Sequence, residues 1–240
     1  MKKFFSGFIF LSLLIVFIGS GFLLFRNVKD EYQYYQMEKH IEEKKQILEE
    51  EYGFKELMEI NDDIIGWITI AGTSIDYPIV QASNNRSYLR HDWNSNKSKY
   101  GSIFMDCHNA ANFSDNHTIL YGHNMKNGSM FHDLNEYRSH VFFDEHPYIE
   151  IYSQDVYRKW EIFSTYSKEP NSGYLQTAFN SPEEYSIFLN ALLSHSEVSN
   201  EKVQVTAEDK ILTLSTCSDD LGYKRRVVHA KLVEEVIDDE

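Results

Sequence analysis

Residues 210–232 read Lys210-Ile-Leu-Thr-Leu-Ser-Thr-Cys217-Ser-Asp-Asp-Leu-Gly-Tyr-Lys224-Arg225-Arg226-Val-Val-His229-Ala-Lys-Leu232. Two short runs rich in β-branched residues, Ile211–Ser215 and Val227–Val233, flank the polar loop Ser218–Gly222. Strand periodicity puts Arg226, Val228, Ala230 and Leu232 on one face, the more core-like, and Arg225, Val227, His229 and Lys231 on the other. The same texture recurs upstream at Ile64–Ile70, Ile75–Val80, Gly101–Met105, His117–Tyr121, Ile149–Tyr152 and Val156–Phe163. Turn residues such as Ala71-Gly72 and Ser153-Gln154-Asp155 separate these runs. One helix interrupts them, with Ser181 as N-cap, Pro182 at the first helical position and Glu184 completing a capping box. Many short strands with one late helix predict a mainly β fold, a single barrel or sandwich.

Towards the N-terminus the pattern changes. Phe4–Phe25 holds 22 residues without a charge, preceded by Lys2 and Lys3 and followed by Arg26 and Lys29. As a helix the run would span about 33 Å, the thickness of a bilayer core. The run is longer than a signal-peptide core, and no small-residue cleavage site follows it. That favours an uncleaved transmembrane anchor, with the long C-terminal part outside the cell membrane. Asp30 to about Tyr52 reads as a helix with Tyr34, Met37, Ile41, Leu48 and Tyr52 on one stripe, and Phe54–Ile60 as a second, shorter one. The expected organisation is an anchor over residues 1–27, N-terminal helices over 28–60 and a β-domain over 61–240.

The 240-residue chain has 23 basic and 37 acidic residues, a net charge of −14. Without Lys2, Lys3 and Arg26 the exported part has 20 basic residues against 37 acidic, a net −17. Such a surface repels phosphate backbones and excludes a nucleic-acid partner. Two cysteines cannot form a disulfide scaffold.

Those cysteines differ in context. Cys217 ends an apolar strand and is followed by a polar loop, where a thiol can meet a substrate; a small buried hydrophobe is the bland alternative. Cys107 lies in Phe104-Met-Asp-Cys-His-Asn109, a strand end turning into a polar loop, and reads as an unremarkable thiol. Of 10 histidines, His123 leaves the apolar strand Ile119–Tyr121 just after Gly122, as expected of a base presented at a strand end. His117 opens that strand, while His91, His108, His132, His140, His146 and His195 lie in polar surroundings. Cys107, His108, His117 and His123 lack compact ligand spacing, so no metal is expected. Arg225 points to the polar strand face, where a groove or a surface ion pair would suit it.

Taken together, Leu214-Ser-Thr-Cys217, Arg225 eight residues on in Arg-x-Val-Val-His, and Tyr121-Gly-His-Asn-Met125 resemble the sortases, in particular class B of Gram-positive bacteria. The resemblance runs from about Asn61 to Val233. It includes Asp63–Ile70, Tyr77–Gln81, Asn85–Leu89, Gly101–Asp106 and Met130-Phe131. It departs at Cys107, where an aromatic is commoner in the family. The resemblance implies a closed β-barrel with N-terminal helices and one late helix. It implies a cysteine transpeptidase needing no cofactor, in which Cys217 attacks the carbonyl after threonine in the sorting signal of a secreted protein. The thioacyl enzyme then passes that protein to an amine of the peptidoglycan cross-bridge or its lipid-linked precursor. His123 is implied as general acid and base, Arg225 as oxyanion donor, and Asn85, Leu89, Tyr121 and Ser215 as groove residues. A cysteine protease or acyl hydrolase, and a binding module with Cys217 buried, are the competing expectations.

Overall fold

A computed structural model describes residues 2–48, 53–154, 156–169, 172–217 and 224–237. Side chains of 2–12, 46–48, 53–55 and Cys217 lie outside that description, as do the expected loop Ser218–Gly222, the expected turn residue Asp155 and the stripe residues Leu48 and Tyr52. The chain divides into two units, residues 1–49 and 50–240.

The first unit is one helix, α1 (Lys2–Leu48). The sequence suggests a break near residue 27, but no Gly or Pro lies between Arg26 and Leu48 to end the helix there. Leu13, Ile15, Val16, Phe17, Leu24 and Phe25 are more than half exposed on it. Among the described residues no helix is long and apolar enough to cross a membrane; nine of the 22 residues in the apolar run, Phe4–Ser12, lie outside the described side chains.

The second unit opens with α2 (Gly53–Ile60) and continues as β1 (Ile64–Thr69), β2 (Asp76–Val80), β3 (Ile103–Met105) and β4 (His117–Tyr121). Then come α3 (His140–Glu145), β5 (Tyr148–Ser153), β6 (Val156–Lys168), α4 (Pro182–Ser194), β7 (Val198–Ser199), β8 (Ile211–Cys217) and β9 (Arg225–Ile237). Strand order is β5-β1-β2-β3-β4-β8-β9-β6, and β6 pairs back onto β5. Eight strands therefore close on themselves, which selects barrel over sandwich and leaves no open edge in the ring. β7 adds to β6 outside the ring. The β2–β3 and β4–β8 pairs are parallel, and the others are antiparallel.

Trp67, Trp160, Phe131 and Tyr137 are all nearly inaccessible. A second apolar cluster forms where α4 lays Tyr185, Phe188, Leu189 and Leu192 against Phe163 and Val227. Burying each such Phe or Leu contributes roughly 1.5–3 kcal/mol. Because both layers use β9, its two faces are buried from Arg226 to Ala230. Val227 and His229 are as inaccessible as Val228 and Ala230, so the face expected to be polar meets solvent only at Arg225 and beyond Ala230.

The α4 cap also differs in part. Ser181 Oγ accepts from the Glu184 amide at 3.2 Å, as a capping box requires. The Glu184 carboxylate, however, takes the Asn180 amide at 2.8 Å instead of the Ser181 amide, because Asn180 and Gln176 also reach it with side-chain donors.

Candidate active site

Strand register assembles one end of the barrel. In the antiparallel β8–β9 pair, Cys217 and Arg225 are Cα partners at the open end, which puts their backbones about 5 Å apart. β4 runs parallel to β8 with His117 opposite Ile211 and Tyr121 opposite Ser215. The Gly122 amide extends the pairing by donating to the Ser215 carbonyl at 3.2 Å. His123 follows directly, at the end of the barrel where β8 ends in Cys217. Alternation places Tyr121, Ser215 and Arg225 on the same barrel face.

His123 is held from two sides. Its Nε2 lies 2.9 Å from the Leu89 carbonyl oxygen, which can only accept, so Nε2 bears a proton and in the neutral ring Nδ1 is the free base. The Phe131 amide donates to the His123 carbonyl at 2.9 Å, pinning the backbone beyond the strand. Gly101 makes this approach possible. It has φ +61°, and a Cβ there would stand 2.5 Å from the Tyr88 oxygen, 3.2 Å from the Leu89 oxygen and 3.0 Å from His123 Cδ2. Leu89 thus contributes through its main chain, at the end of a short 3-10 turn, Ser87–Leu89.

Arg225 is half-buried, with Cζ 5.9 Å from the Tyr121 ring centroid. Its Nε is inaccessible and has no hydrogen-bond partner among the described residues. The neighbouring Arg226 is tied instead to Glu197, Nη1 to Oε2 at 2.6 Å, and is 3% exposed.

Hydrogen-bonded to Tyr121 is a residue to which none of the sequence motifs assigns a role. Asp106, just past β3, is 5% exposed. Its Oδ2 accepts from the Tyr121 hydroxyl at 2.8 Å and from Asn85 Nδ2 at 2.9 Å. Its Oδ1 accepts from the His108 amide at 2.9 Å and from His108 Nδ1 at 2.8 Å. Burial works to raise the Asp106 pKa, but these donors outweigh it and hold the carboxyl below its ordinary value. Burial, and then the Asp106 charge, push the Tyr121 phenol well above its ordinary value, so it remains a neutral donor. The only signal for Asp106 in the sequence is one acid directly after the apolar Ile103-Phe-Met105.

Asn85 Oδ1 accepts the Cys107 amide at 2.8 Å. Cys107 Sγ lies 3.7 Å from His108 Nδ1. That nitrogen already donates to Asp106 and has no lone pair to take the thiol proton, so Cys107 has no base in this geometry. Asp106, Cys107 and His108 are the one group among the described residues with three ligand-type atoms within 4.8 Å. Both Asp106 oxygens are occupied by the donors above.

Ser215 is fully buried, its hydroxyl 3.0 Å from that of Tyr174. One step further along the face, His117 Nδ1 donates to the Gln176 carbonyl at 2.6 Å and Thr213 bridges the two rings, 2.6 Å from His117 Nε2 and 2.8 Å from His229 Nδ1. The sequence does not distinguish these two histidines from surface ones.

Residues 68–233 match the family model described as a sortase domain. Sortase B of Listeria monocytogenes is 39% identical over 181 residues, covering 75% of this chain and 73% of that protein. Sortase B of Staphylococcus aureus is 37% identical over 183 residues, 75% of each. Among solved structures, a Staphylococcus aureus sortase B–substrate complex superposes with a TM-score of 0.79 at 34% identity, covering 86% of this chain and 99% of that one. Bacillus anthracis sortase B in complex with AAEK1 gives 0.77 at 40%, covering 84% and 98%. With a closed barrel, its strand register and these relatives all in agreement, the chain belongs to the sortase family, class B, and is a cysteine transpeptidase of the kind that anchors proteins to the cell wall.

Proposed function

We propose that Cys217 is the nucleophile, His123 the general acid and base, and Arg225 the oxyanion donor of this transpeptidase. The observation that carries the reading is the register that pairs Cys217 with Arg225 and runs the His123 strand parallel to β8. In the proposed sequence the Cys217 thiolate adds to the carbonyl carbon after threonine in a sorting signal. The oxyanion takes a hydrogen bond from Arg225, whose Nε has no other described partner. The scissile C–N bond breaks as the leaving amine collects a proton from His123, leaving a thioester on Cys217. A wall amine, from a peptidoglycan cross-bridge or its lipid-linked precursor, gives its proton to His123 and displaces the thiol. Asn85, Leu89, Tyr121 and Ser215 are proposed to line or support the groove that holds the signal.

We also propose residues 1–27 as a membrane anchor, 28–60 as N-terminal helices and 61–240 as the catalytic barrel, outside the cell membrane. Support comes from the uncharged run Phe4–Phe25, which lies within helix α1, and from its exposed apolar side chains after Leu13.

Intact mass spectrometry tests the chemistry. Incubation with a sorting-signal peptide should leave an acyl adduct that Cys217→Ala lacks and Cys107→Ala retains. Adding hydroxylamine should speed turnover and divert product from acid to hydroxamate. Loss of the adduct in Cys107→Ala, or equal acid release with and without amine, would replace this reading with a different nucleophile or a hydrolase.

A further inference from the structure

We propose that Asp106 is a positioning residue of the transfer site, its carboxylate fixing the Asn85 amide and the Tyr121 ring together and, through that ring, the place of the Arg225 guanidinium. The inference rests on the proposed roles of Asn85, Tyr121 and Arg225 and deepens them.

Asp106 is itself immobile. Its amide donates to Ile119 at 2.9 Å, and its carbonyl accepts from Gln81 Nε2 at 2.9 Å and from Asn109 at 3.0 Å. A carboxylate so held directs whatever donates to it. A primary amide has two N–H donors and two carbonyl lone pairs. Asn85 spends one donor on Asp106 and one lone pair on the Cys107 amide. The amide is therefore fixed against flipping, with one donor and one acceptor left in defined directions, as pairing with an extended peptide backbone requires.

Tyr121 receives the same treatment. Its hydroxyl donates to the oxygen that Asn85 shares, and the tilted Phe104 ring, 5.2 Å away between centroids, limits it from the side. The ring under Arg225 thus has a set plane, and a phenol that donates to a carboxylate gains electron density that attracts the cation above it. Replacing the carboxylate with an amide keeps the volume but removes the charge and turns one of the two oxygens into NH2. At the Oδ2 position the NH2 faces the Asn85 and Tyr121 donors, which must shift. At the Oδ1 position it opposes the His108 backbone amide, which cannot turn away as the exposed ring can, so the whole group is pushed from its place.

The test uses the full chain and its Asp106→Asn variant with a sorting-signal peptide. The substitution should lower kcat/KM by about ten- to a hundredfold, the loss of hydrogen bonds to a charged group. Alkylation of Cys217 by iodoacetamide, followed on its own tryptic peptide, should stay within about twofold, because that reagent does not use the groove. Introduced into an Asn85→Ala, Tyr121→Phe background, the same change should cost less than about threefold, since its targets are gone. Equal loss in both backgrounds, or slowed alkylation, would make Asp106 a general support of the fold. If Asp106→Asn does not fold, Tyr121→Phe and Asn85→Ala answer instead: their effects should couple, and strict additivity overturns a shared carboxylate. Wild-type protein that neither cleaves the peptide nor forms an adduct overturns the transferase reading, whereas cleavage by wild type and variant alike overturns only the positioning role.

Discussion

Gly101 gives the site its sharpest single-residue dependence. Gly101→Ala forces a Cβ to 2.5 Å from the Tyr88 carbonyl oxygen, in a backbone with φ +61°. That conformation alone costs an L-residue about 1–2 kcal/mol, and the Leu89 carbonyl that orients His123 must move as well. Peptide turnover should fall at least about tenfold, with the midpoint of thermal unfolding lower by roughly 2–8 °C. Gly128 supplies the control: its φ is +88° but nothing lies within 4 Å of an added Cβ. Gly128→Ala should lose stability and keep turnover; matched activity losses would show that strain, not the His123 contact, is decisive. For the arginines, Arg225→Lys should be badly impaired in a fluorescent-peptide assay, since an ammonium lacks the planar fork. Arg226→Ala should act mostly on stability, because its partner is Glu197; the reverse ranking would move the oxyanion donor. The motif residues were legible because chemistry restricts their types. Asp106 was not, since what singles it out is the meeting of Asn85 and Tyr121, which lie on either side of it in sequence and come together only in the fold.

Among the elements, the strands were legible wherever alternation met turn residues, and β7 was missed because its two residues carry no period. α3 and the 3-10 turn His132–Arg138 were missed for the same shortness. His117 and His229 show the deeper limit: β4, β8 and β9 are each readable, but their register alone puts the two rings on either side of Thr213. Burial drives His117 down to about 4 and His229 well below its ordinary value, with His117 adding to the shift at His229. Both are therefore neutral in the fold, while the unfolded chain protonates near pH 6.5. From about 6.5 down to 4 the unfolded state binds more protons, so stability falls with pH, by up to about 1.4 kcal/mol per unit for each histidine. The carboxylates held low, Asp106, Glu197 and Asp209, begin to add their loss near the bottom of this window, as pH falls through their ordinary values towards the lowered ones. Urea midpoints between pH 8 and 4 should trace the decline, and a flat profile would place protons on the buried rings. Thr213→Val keeps the shape but strands His117 Nε2 and His229 Nδ1. At about 1–3 kcal/mol for each unsatisfied group, unfolding should come on the order of 10 °C lower.

At the scale of the whole molecule, the described contacts that hold His123, Arg225 and Asp106 join residues of the barrel, between Gln81 and Arg225. The anchor's proposed contribution is encounter. A sorting-signal protein held in the same membrane meets the enzyme in a thin layer, where effective concentration replaces bulk concentration. An intermediate that must wait for a wall amine gains most from this, because both of its reactants are delivered at one surface. The full chain and a form lacking residues 1–27 should therefore cleave a free peptide with kcat/KM values within about twofold of each other. On vesicles bearing both enzyme and a lipid-tethered signal peptide, the full chain should be faster by on the order of 10². Raising vesicle lipid at constant protein should slow the full chain by diluting it in the surface and leave the shortened form unchanged. Equal rates on vesicles, or recovery of the full chain in the soluble fraction after cells are broken, would remove the anchor and leave residues 1–27 without a part in the reaction.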